Sequence, residues 1–309
     1  MLDLKLAMYL PFLSMMEAGV FVTASDDIEV FNMDTSSMEN SKMMGETVTA
    51  LAHPSSLYIG TTHGVYVMTP AEIKETTTEL QDVRQCLEVL QKPSVDLMRE
   101  RGAVQKSEDG HETVYSDSAF WFHSPTTNKL VQLYQDLGTI DAEVCIYGDF
   151  LTCLGQRKKK YYLEKLYKAD NIKKDVVIKR KINEKVGDTD LSVLSLHQSK
   201  FYHLGTTQEY LYGLTNDKYL KMELNLANVV SSHITAKETS NIEGIVLSSI
   251  IDKSIDVPQD AIVEYSIIQS KVSNLNIIYL DTFDYIQVKR KYNYVMLIEH
   301  TCFDIVQII

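Results

Sequence analysis

The stretch GVFVTASDD at residues 19–27 decides the expected fold. Its first five residues are a short apolar run rich in β-branched and aromatic side chains, which is typical of a strand covered on both faces in a parallel sheet. Asp26 and Asp27 follow this run, so they would lie at the C-terminal edge of the strand, where open α/β sheets bind ligands. Carboxylates there suit a Mg²⁺ ion, although an Asp-Asp pair is also common in a solvated turn.

Strand and helix patterns alternate through the rest of residues 1–240. The runs at 64–68 and 191–196 predict strands. A helix is predicted from an apolar stripe that stops at Pro93 and consists of Leu80, Val83, Leu87 and Leu90. Ser124-Pro125 begins a second helix that Gly138 ends, a third is expected from 141 to 155, and Thr206 to Glu209 forms a capping box. This alternation predicts an α/β domain.

The periodicity changes after residue 240. Aliphatic residues recur there every five to six positions, at Ile251, Val257, Val263 and Ile268. This spacing predicts coils of a parallel β-helix over 241–279, with an ordinary β-meander as the alternative. Residues 280–309 leave the pattern and are not assigned.

Composition narrows the possible partners. The chain has 309 residues, 45% hydrophobic residues and a net charge of −12, so its overall field repels nucleic acid and anionic membranes. The exception is a basic insertion at 156–185, whose residues 157–185 hold twelve Lys and Arg against four acids, interleaved with tyrosines. Such a run is either a solvated insertion or a surface for phosphate backbones. The four cysteines lack zinc or redox spacing, which favours a reduced, cytoplasmic setting.

Several polar residues are candidates for binding a phosphorylated ligand. Small and hydroxylated residues crowd the segment from 53 to 64, which suits a backbone approaching a sugar or, equally, a hairpin turn; they are His53, Ser55, Ser56, Thr61, Thr62 and Gly64. Lys92 could hold a phosphate as a point charge or be an ordinary surface residue. Asp117 and Asp149 are single acids beside apolar segments, and the residues alone favour structural roles for them.

Eight segments, in the same order, resemble the fucose-1-phosphate guanylyltransferase (GDP-fucose pyrophosphorylase) family. They are residues 4–9, GVFVTASDDIEVF at 19–31, TALAHPSSLYIGTTHGVYV at 49–67, LQKPS at 90–94, VYSDSAF at 114–120, YGDFLTCLG at 147–155, SKFYHLGTTQEYLY at 199–212 and VPQDAIVEYS at 257–266. The resemblance implies an incomplete, Rossmann-like nucleotidyltransferase α/β sheet followed by a short left-handed parallel β-helix. It also implies transfer of GMP from GTP to β-L-fucose-1-phosphate, with release of pyrophosphate.

The resemblance also assigns roles to residues. Asp26, beside Asp27, would hold Mg²⁺, and Asp149 is included in the expected metal site. Lys92 would contact the sugar phosphate, and Asp117 would lie among the sugar contacts with the 53–64 segment. We therefore expect Lys92 to approach Asp26 and Asp27 in one cleft with the Gly60–Gly64 loop.

Two departures from the family pattern limit the expected activity. No Gly-rich loop ending in Arg precedes Asp26, and Cys145 stands where the family has an aspartate that a neutral thiol cannot replace as a Mg²⁺ ligand. We therefore expect the 309-residue chain to form little or no GDP-fucose. The alternative to an enzyme is a catalytically dead remnant that binds sugar phosphate or a partner protein. A nucleic-acid-binding module built on residues 157–185 is the least favoured interpretation.

Overall fold

The computed structural model describes residues 9, 12–13, 18–34, 48–70, 80–106, 109–140, 142–155, 174–235, 240–252, 254–268, 277–279 and 306–308. They belong to two compact units. The first consists of Met1–Ser25, Glu29–Phe201 and Asp304–Ile309, and the second of Asp26–Ile28 and Tyr202–Phe303. The sequence placed the boundary near 240 instead, because the helix pattern continues past residue 206.

Strands and helices are interspersed in the described part of the chain before residue 204. The strands are β1 (Gly19–Val22), β2 (Asp27–Val30), β3 (Val48–Ser56), β4 (Gly64–Met68), β5 (Gln81–Gln91), β6 (Gln105–Lys106), β7 (Glu112–His123), β8 (Leu191–Leu196) and β9 (Lys200–His203). The helices are α1 (Leu57–Gly60), α2 (Val95–Arg101), α3 (Ser124–Leu137) and α4 (Lys174–Val186). The predicted strands at 64–68 and 191–196 and the helix that begins at Ser124 are confirmed.

Short strands dominate the rest of the described chain. Two helices come first, α5 (Thr207–Thr215) and α6 (Lys218–Glu223), and the predicted capping box of Thr206 and Glu209 begins α5. The strands are β10 (Val229–Val230), β11 (His233–Ile234), β12 (Asn241–Ile242), β13 (Ile245–Leu247), β14 (Ile250–Ile251), β15 (Asp256–Val257), β16 (Ile262–Glu264), β17 (Ile267–Ile268), β18 (Ile277–Tyr279) and β19 (Val306–Ile308). None of the helices described is long and apolar enough to cross a membrane.

An eight-stranded mixed sheet organises the first unit. Its order is β19-β1-β7-β3-β8-β5-β4, with β6 paired to β7. β3 and β8 run parallel, from Val48↔Leu191 to Ala52↔Ser195. β7 lies antiparallel to β1 and β3, and it also pairs with β4 at Val65↔Ser116. That last pairing brings the start of β4 beside the middle of β7. A separate two-stranded sheet joins β2 to β9.

Both faces of the eight-stranded sheet are covered. On one face, Ala50 and Phe120 share a buried cluster with Leu133 of α3 and Ile182 of α4. On the other face, neighbouring positions of the same two strands join a second cluster that consists of Tyr9, Phe12, Phe21, Leu51, Ala119, Trp121, Leu194 and Leu196. Because apolar side chains cover both faces of the sheet, nearly every residue of β3 and β7 is shielded from water.

The structure corrects three secondary-structure predictions in the first unit. β1 is antiparallel to both of its neighbours, and its residues alternate between buried and half-buried, unlike a strand of a parallel sheet. Residues 81–91 form strand β5 and not a helix. In place of a helix over 141–155, the described residues form a π-helical turn at Ile146–Phe150 and a 3₁₀ turn at Leu151–Cys153.

The basic insertion is also partly corrected. Residues 174–186 form α4, and its buried Val176, Ile178, Ile182 and Val186 recur two to four positions apart, so this part is an amphipathic helix packed on the core. It is therefore not a solvated insertion over that range. The remaining residues of the insertion, 156–173, lie outside the described residues.

The second unit contains three parallel ladders. β10, β13, β16 and β18 pair in one, β11, β14 and β17 in another, and β12 with β15 in the third. Val229 pairs with Val246, which pairs with Val263, so each step along this ladder is 17 positions. The predicted inward residues Ile251, Val257, Val263 and Ile268 are all buried in one cluster. A meander would pair successive strands antiparallel, whereas the described pairs of this region are parallel.

Candidate functional site

The turn between β3 and β4 uses its own hydroxyl groups. Ser56 caps α1 by accepting a bond from the N–H of Ile59 at 3.3 Å. The hydroxyl of Thr61 donates to the carbonyl of Tyr58 at 2.7 Å, and that of Thr62 donates to the carbonyl of Ile59 at 2.9 Å. These three predicted ligand contacts therefore close the helical turn, and they hold the chain that enters β4.

Gly64 sits directly against the carboxyl group of Asp117. Its N–H donates to Asp117 Oδ1 at 2.9 Å. A Cβ at this position would overlap Asp117 Oδ2 and would lie 3.1 Å from Gln91 Oε1. The close approach of backbone and carboxyl group therefore requires glycine.

Asp117 is a buried acid with spare hydrogen-bonding capacity. Its Oδ2, like Gln91 Oε1, has no hydrogen-bond partner among the described residues. Burial raises the pKa of Asp117 to about 7, against the opposing effects of the Gly64 N–H and of the Lys92 charge. Burial likewise raises the pKa of Tyr66, and the negative charge of Asp117 adds to that shift. The region thus combines an acid that titrates near neutrality with an adjacent cation.

Lys92 is exposed at the end of β5, and its backbone is unusual. Its φ is 47°, in the left-handed region that residues with a side chain seldom adopt. Its N–H donates to the carbonyl of His63 at 3.0 Å, and Gln91 before it pairs with Gly64. The structure therefore brings together three residues predicted for the site, Lys92, Gly64 and Asp117.

Two other predicted sugar contacts are buried in the sheet. His53 is fully buried in β3 and bonds to Glu29 Oε2 at 2.7 Å. Ser55 Oγ lies 2.6 Å from Ser116 Oγ, and both side chains are buried. Strand β3 continues to Ser56 and places the His53 ring inside the sheet, so this histidine is not part of a hairpin turn.

Asp149 is occupied by contacts that hold its own turn. Its Oδ2 accepts a bond from the N–H of Cys145 at 2.8 Å, and its Oδ1 lies 3.2 Å from Lys179 Nζ of α4. Cys145 Sγ in turn accepts a bond from the N–H of Gly148 at 3.3 Å. Both residues therefore stabilise the turn that precedes the 3₁₀ segment, and this geometry gives no support to Asp149 as a metal ligand.

A second cluster lies in the second unit. One ligand atom each from Asp26, Asp27 and His203 lie within 4.8 Å of one another. His203 Nε2 is 3.5 Å from Asp26 Oδ2, and its Nδ1 is 3.6 Å from Glu209 Oε2. A Cβ on Gly205 would overlap the His203 ring and lie 2.9 Å from Asp26 Oδ2, so this glycine keeps room beside both groups.

Sequence reasoning missed His203 as a member of this cluster. The available signal was its place in the segment 199–212, which carries the resemblance. The expected approach of Lys92 to Asp26 and Asp27 stays a prediction, because Lys92 and the two acids belong to different compact units.

The relatives in sequence are guanylyltransferases. One, "Fucose-1-phosphate guanylyltransferase" of Mus musculus, is 36% identical over 295 residues, 88% of this chain and 49% of its own length. The protein of the same name from Homo sapiens is 36% identical over 292 residues, 88% of this chain and 47% of its own length. The chain belongs to the fucose pyrophosphorylase domain family, whose model matches residues 1–277. It spans about half the length of the curated relatives it matches.

Solved structures resemble the chain only weakly. The UTP-bound UGPase from Acinetobacter baumannii is 12% identical, with a TM-score of 0.32 over 66% of this chain and 54% of its own. A protein described as mannose-1-phosphate geranyltransferase from Thermus thermophilus is also 12% identical, with a TM-score of 0.30 over 88% of this chain and 64% of its own. Similarities at this level carry no functional weight.

Proposed function

We propose that this chain provides the sugar-phosphate side of a nucleotidyltransferase site in a protein that transfers GMP from GTP to β-L-fucose-1-phosphate. In this reaction a phosphate oxygen of the sugar phosphate forms a bond to the α-phosphorus of GTP, and the bond to pyrophosphate breaks with its electron pair. The names of the curated relatives support the choice of substrates. The observation that carries the proposal is the convergence of Lys92 with Gly64 and the buried Asp117.

Each residue of this group has a chemical task in the proposed site. The ammonium of Lys92 holds the phosphate of the acceptor as a point charge. Asp117 Oδ1 accepts the Gly64 N–H, so the buried carboxyl group fixes the backbone beside which the sugar would lie. Because residue 64 is glycine, both the sugar and the carboxyl group of Asp117 can approach its backbone closely. Fixing the acceptor in this way supplies orientation, which is the main protein contribution to an in-line displacement.

Asp26, Asp27 and His203 are the proposed ligands of a divalent cation. Two carboxylates suit Mg²⁺ and Mn²⁺, and the imidazole suits Mn²⁺ better than Mg²⁺. A cation bound there would neutralise the charge of a phosphate group that it contacts. This donor set contains neither residue 145 nor Asp149, so the thiol at Cys145 does not remove it.

Two finer expectations belong to the same proposal. The parallel ladders of residues 229–268 and the family resemblance support a short left-handed parallel β-helix. A cytoplasmic setting is supported by the described cysteines Cys86, Cys145 and Cys153, none of which forms a disulfide.

One experiment separates the enzyme from a dead remnant. The chain is titrated calorimetrically with fucose-1-phosphate and assayed with GTP and Mg²⁺ or Mn²⁺ for GDP-fucose. Binding with turnover supports the enzyme, and binding without turnover supports a sugar-phosphate-binding remnant. If fucose-1-phosphate does not bind and no GDP-fucose forms, the proposed function is wrong.

A further inference from the structure

The imidazole of His53 is fixed by polar contacts on both nitrogens. Nε2 lies 2.7 Å from Glu29 Oε2 and 3.0 Å from Ser118 Oγ, and Nδ1 lies 2.7 Å from Ser199 Oγ. The hydroxyl of Ser199 also lies 2.7 Å from the carbonyl of Leu196, to which it donates, so its position beside Nδ1 is fixed. Because the ring is fully buried and held from two sides, its plane has one orientation.

That fixed ring begins a row of three aromatic side chains. The face of His53 stacks on Phe201, with ring centroids 5.8 Å apart and planes at 27°. Phe201 then meets His63 edge to face, with centroids 5.3 Å apart and planes at 90°. Both are favourable arrangements of aromatic rings, so the position of His53 restricts Phe201, and Phe201 restricts His63.

His63 connects the residues of the candidate site through its backbone. Its carbonyl accepts the N–H of Lys92, and the next residue, Gly64, donates its N–H to Asp117. Its ring Nδ1 is 3.1 Å from the carbonyl of Ile59, which ties it to α1. A displacement of His63 would therefore disturb both backbone bonds that shape the site.

We propose that His53 is a positioning residue, which holds Lys92 in its left-handed conformation through Phe201 and His63. The ring is fully buried, so it acts on the ligand only through its neighbours. A residue such as Lys92 with φ of 47° keeps that conformation only where its surroundings impose it, and the His63 carbonyl is one of those constraints. The importance of Lys92 rests on the proposed function, whereas the mechanical coupling does not.

A purely structural role for His53 makes a different prediction. If the ring only stabilises the core, its replacement should increase amide exchange throughout the first unit through global opening. If it positions the site, exchange should increase mainly at Lys92 and Gly64. The amide of Val48, which donates to the carbonyl of Asp190 at 3.0 Å in the same unit, is the internal reference.

Hydrogen exchange of the full 309-residue chain tests the coupling, with residue resolution and without ligand. The variants are His53→Gln, Phe201→Leu and, as the matched control, His123→Gln. His123 is a second buried histidine of the same sheet, 3.2 Å from Thr49 Oγ1. Phe201→Leu keeps the polar contacts of His53 and interrupts only the aromatic row.

We expect exchange at Lys92 and Gly64 to increase about tenfold relative to Val48 in His53→Gln and Phe201→Leu, and less than about twofold in His123→Gln. Equal changes at all three amides in His53→Gln would overturn the proposal, as would an unchanged Lys92 amide in Phe201→Leu. Fucose-1-phosphate titration of the unmodified chain is read separately. A failure to bind would remove the proposed function and leave the coupling result intact.

Discussion

The N–H of Lys92 donates a 3.0 Å hydrogen bond to the carbonyl of His63, although Lys92 holds a φ of 47°. A left-handed conformation costs a residue with a side chain about 1–2 kcal/mol relative to glycine. Glycine would avoid that cost, but it would remove the Lys92 charge, which opposes the rise in the pKa of Asp117. The position therefore combines backbone strain with a charge, which is typical of a functional site.

Replacing Lys92 separates the strain from the charge. Lys92→Gly and Lys92→Ala both remove the ammonium, but only the alanine variant keeps the unfavourable φ. We expect Lys92→Gly to be about 1 kcal/mol more stable than Lys92→Ala in urea unfolding. At Lys181, an exposed position within α4, the order should reverse by a similar amount because glycine weakens a helix. The same order at both positions would contradict a strained Lys92.

Asp117 should make stability depend on pH. Its folded-state pKa of about 7 lies above the unfolded value, so the folded protein binds a proton more tightly, and stability is lost as pH rises toward 7. Between about pH 5.5 and 8 the loss is on the order of 2 kcal/mol. The side chain of Asp117→Asn does not bind this proton. Between the same pH values, the unfolding free energy of the variant should therefore fall by about 2 kcal/mol less than that of the unmodified protein. Identical pH profiles of the two proteins would show that Asp117 is ionised throughout.

The second cluster should bind a divalent cation. We expect His203→Ala to weaken Mn²⁺ binding at least about tenfold, since it removes one of three donors. Free Mn²⁺ measured by electron paramagnetic resonance gives the affinity, and competition extends it to Mg²⁺. His233→Ala removes an exposed imidazole of the same unit and should have no effect. Equal losses in both variants, or none, would exclude His203 as a ligand.

The parallel ladders of the second unit make a prediction about neighbouring residues. Ile251 is 0% exposed, whereas Ile250 beside it is 45% exposed. Ile251→Ala should lower the unfolding free energy by about 2–4 kcal/mol because it opens a cavity. Ile250→Ala should cost less than about 1 kcal/mol. Similar costs for both, measured by urea unfolding, would contradict the burial of Ile251 and the exposure of Ile250 in strand β14.

Apolar periodicity misled the assignment of β5. Leu87 and Leu90 fit a helical stripe, but the buried positions of this strand include Arg84 and Glu88. Arg84 Nε pairs with Asp82 Oδ2 at 3.1 Å, and the Glu88 carboxylate lies 3.2 Å from Arg101. A pattern that counts only apolar residues leaves out the buried, charged Arg84 and Glu88. It therefore misses the alternation with period two that is typical of a strand.

The candidate site of Gly64, Lys92 and Asp117 could be predicted from the sequence only in part. The family resemblance identified Gly64 and Lys92, since the residues alone left a hairpin turn and a surface lysine open. Their convergence follows from the pairing of β4 with β5, which the predicted helix over β5 did not foresee. The role of His53 was not predictable, because a polar residue gives no sign of burial when its partners are far along the chain. Ser199, for example, is 146 positions away.

Titration with fucose-1-phosphate tests the central claim, that Lys92 binds the sugar phosphate, most directly. The unmodified chain is compared with Lys92→Ala and with Lys185→Ala, which removes a lysine whose Nζ lies 3.4 Å from Asp136 on the helical side of the first unit. A lost charge-assisted contact of about 1.5–3 kcal/mol should weaken binding by about 10- to 150-fold in Lys92→Ala, with no change in Lys185→Ala. Equal affinities of the unmodified and Lys92→Ala chains would contradict the account.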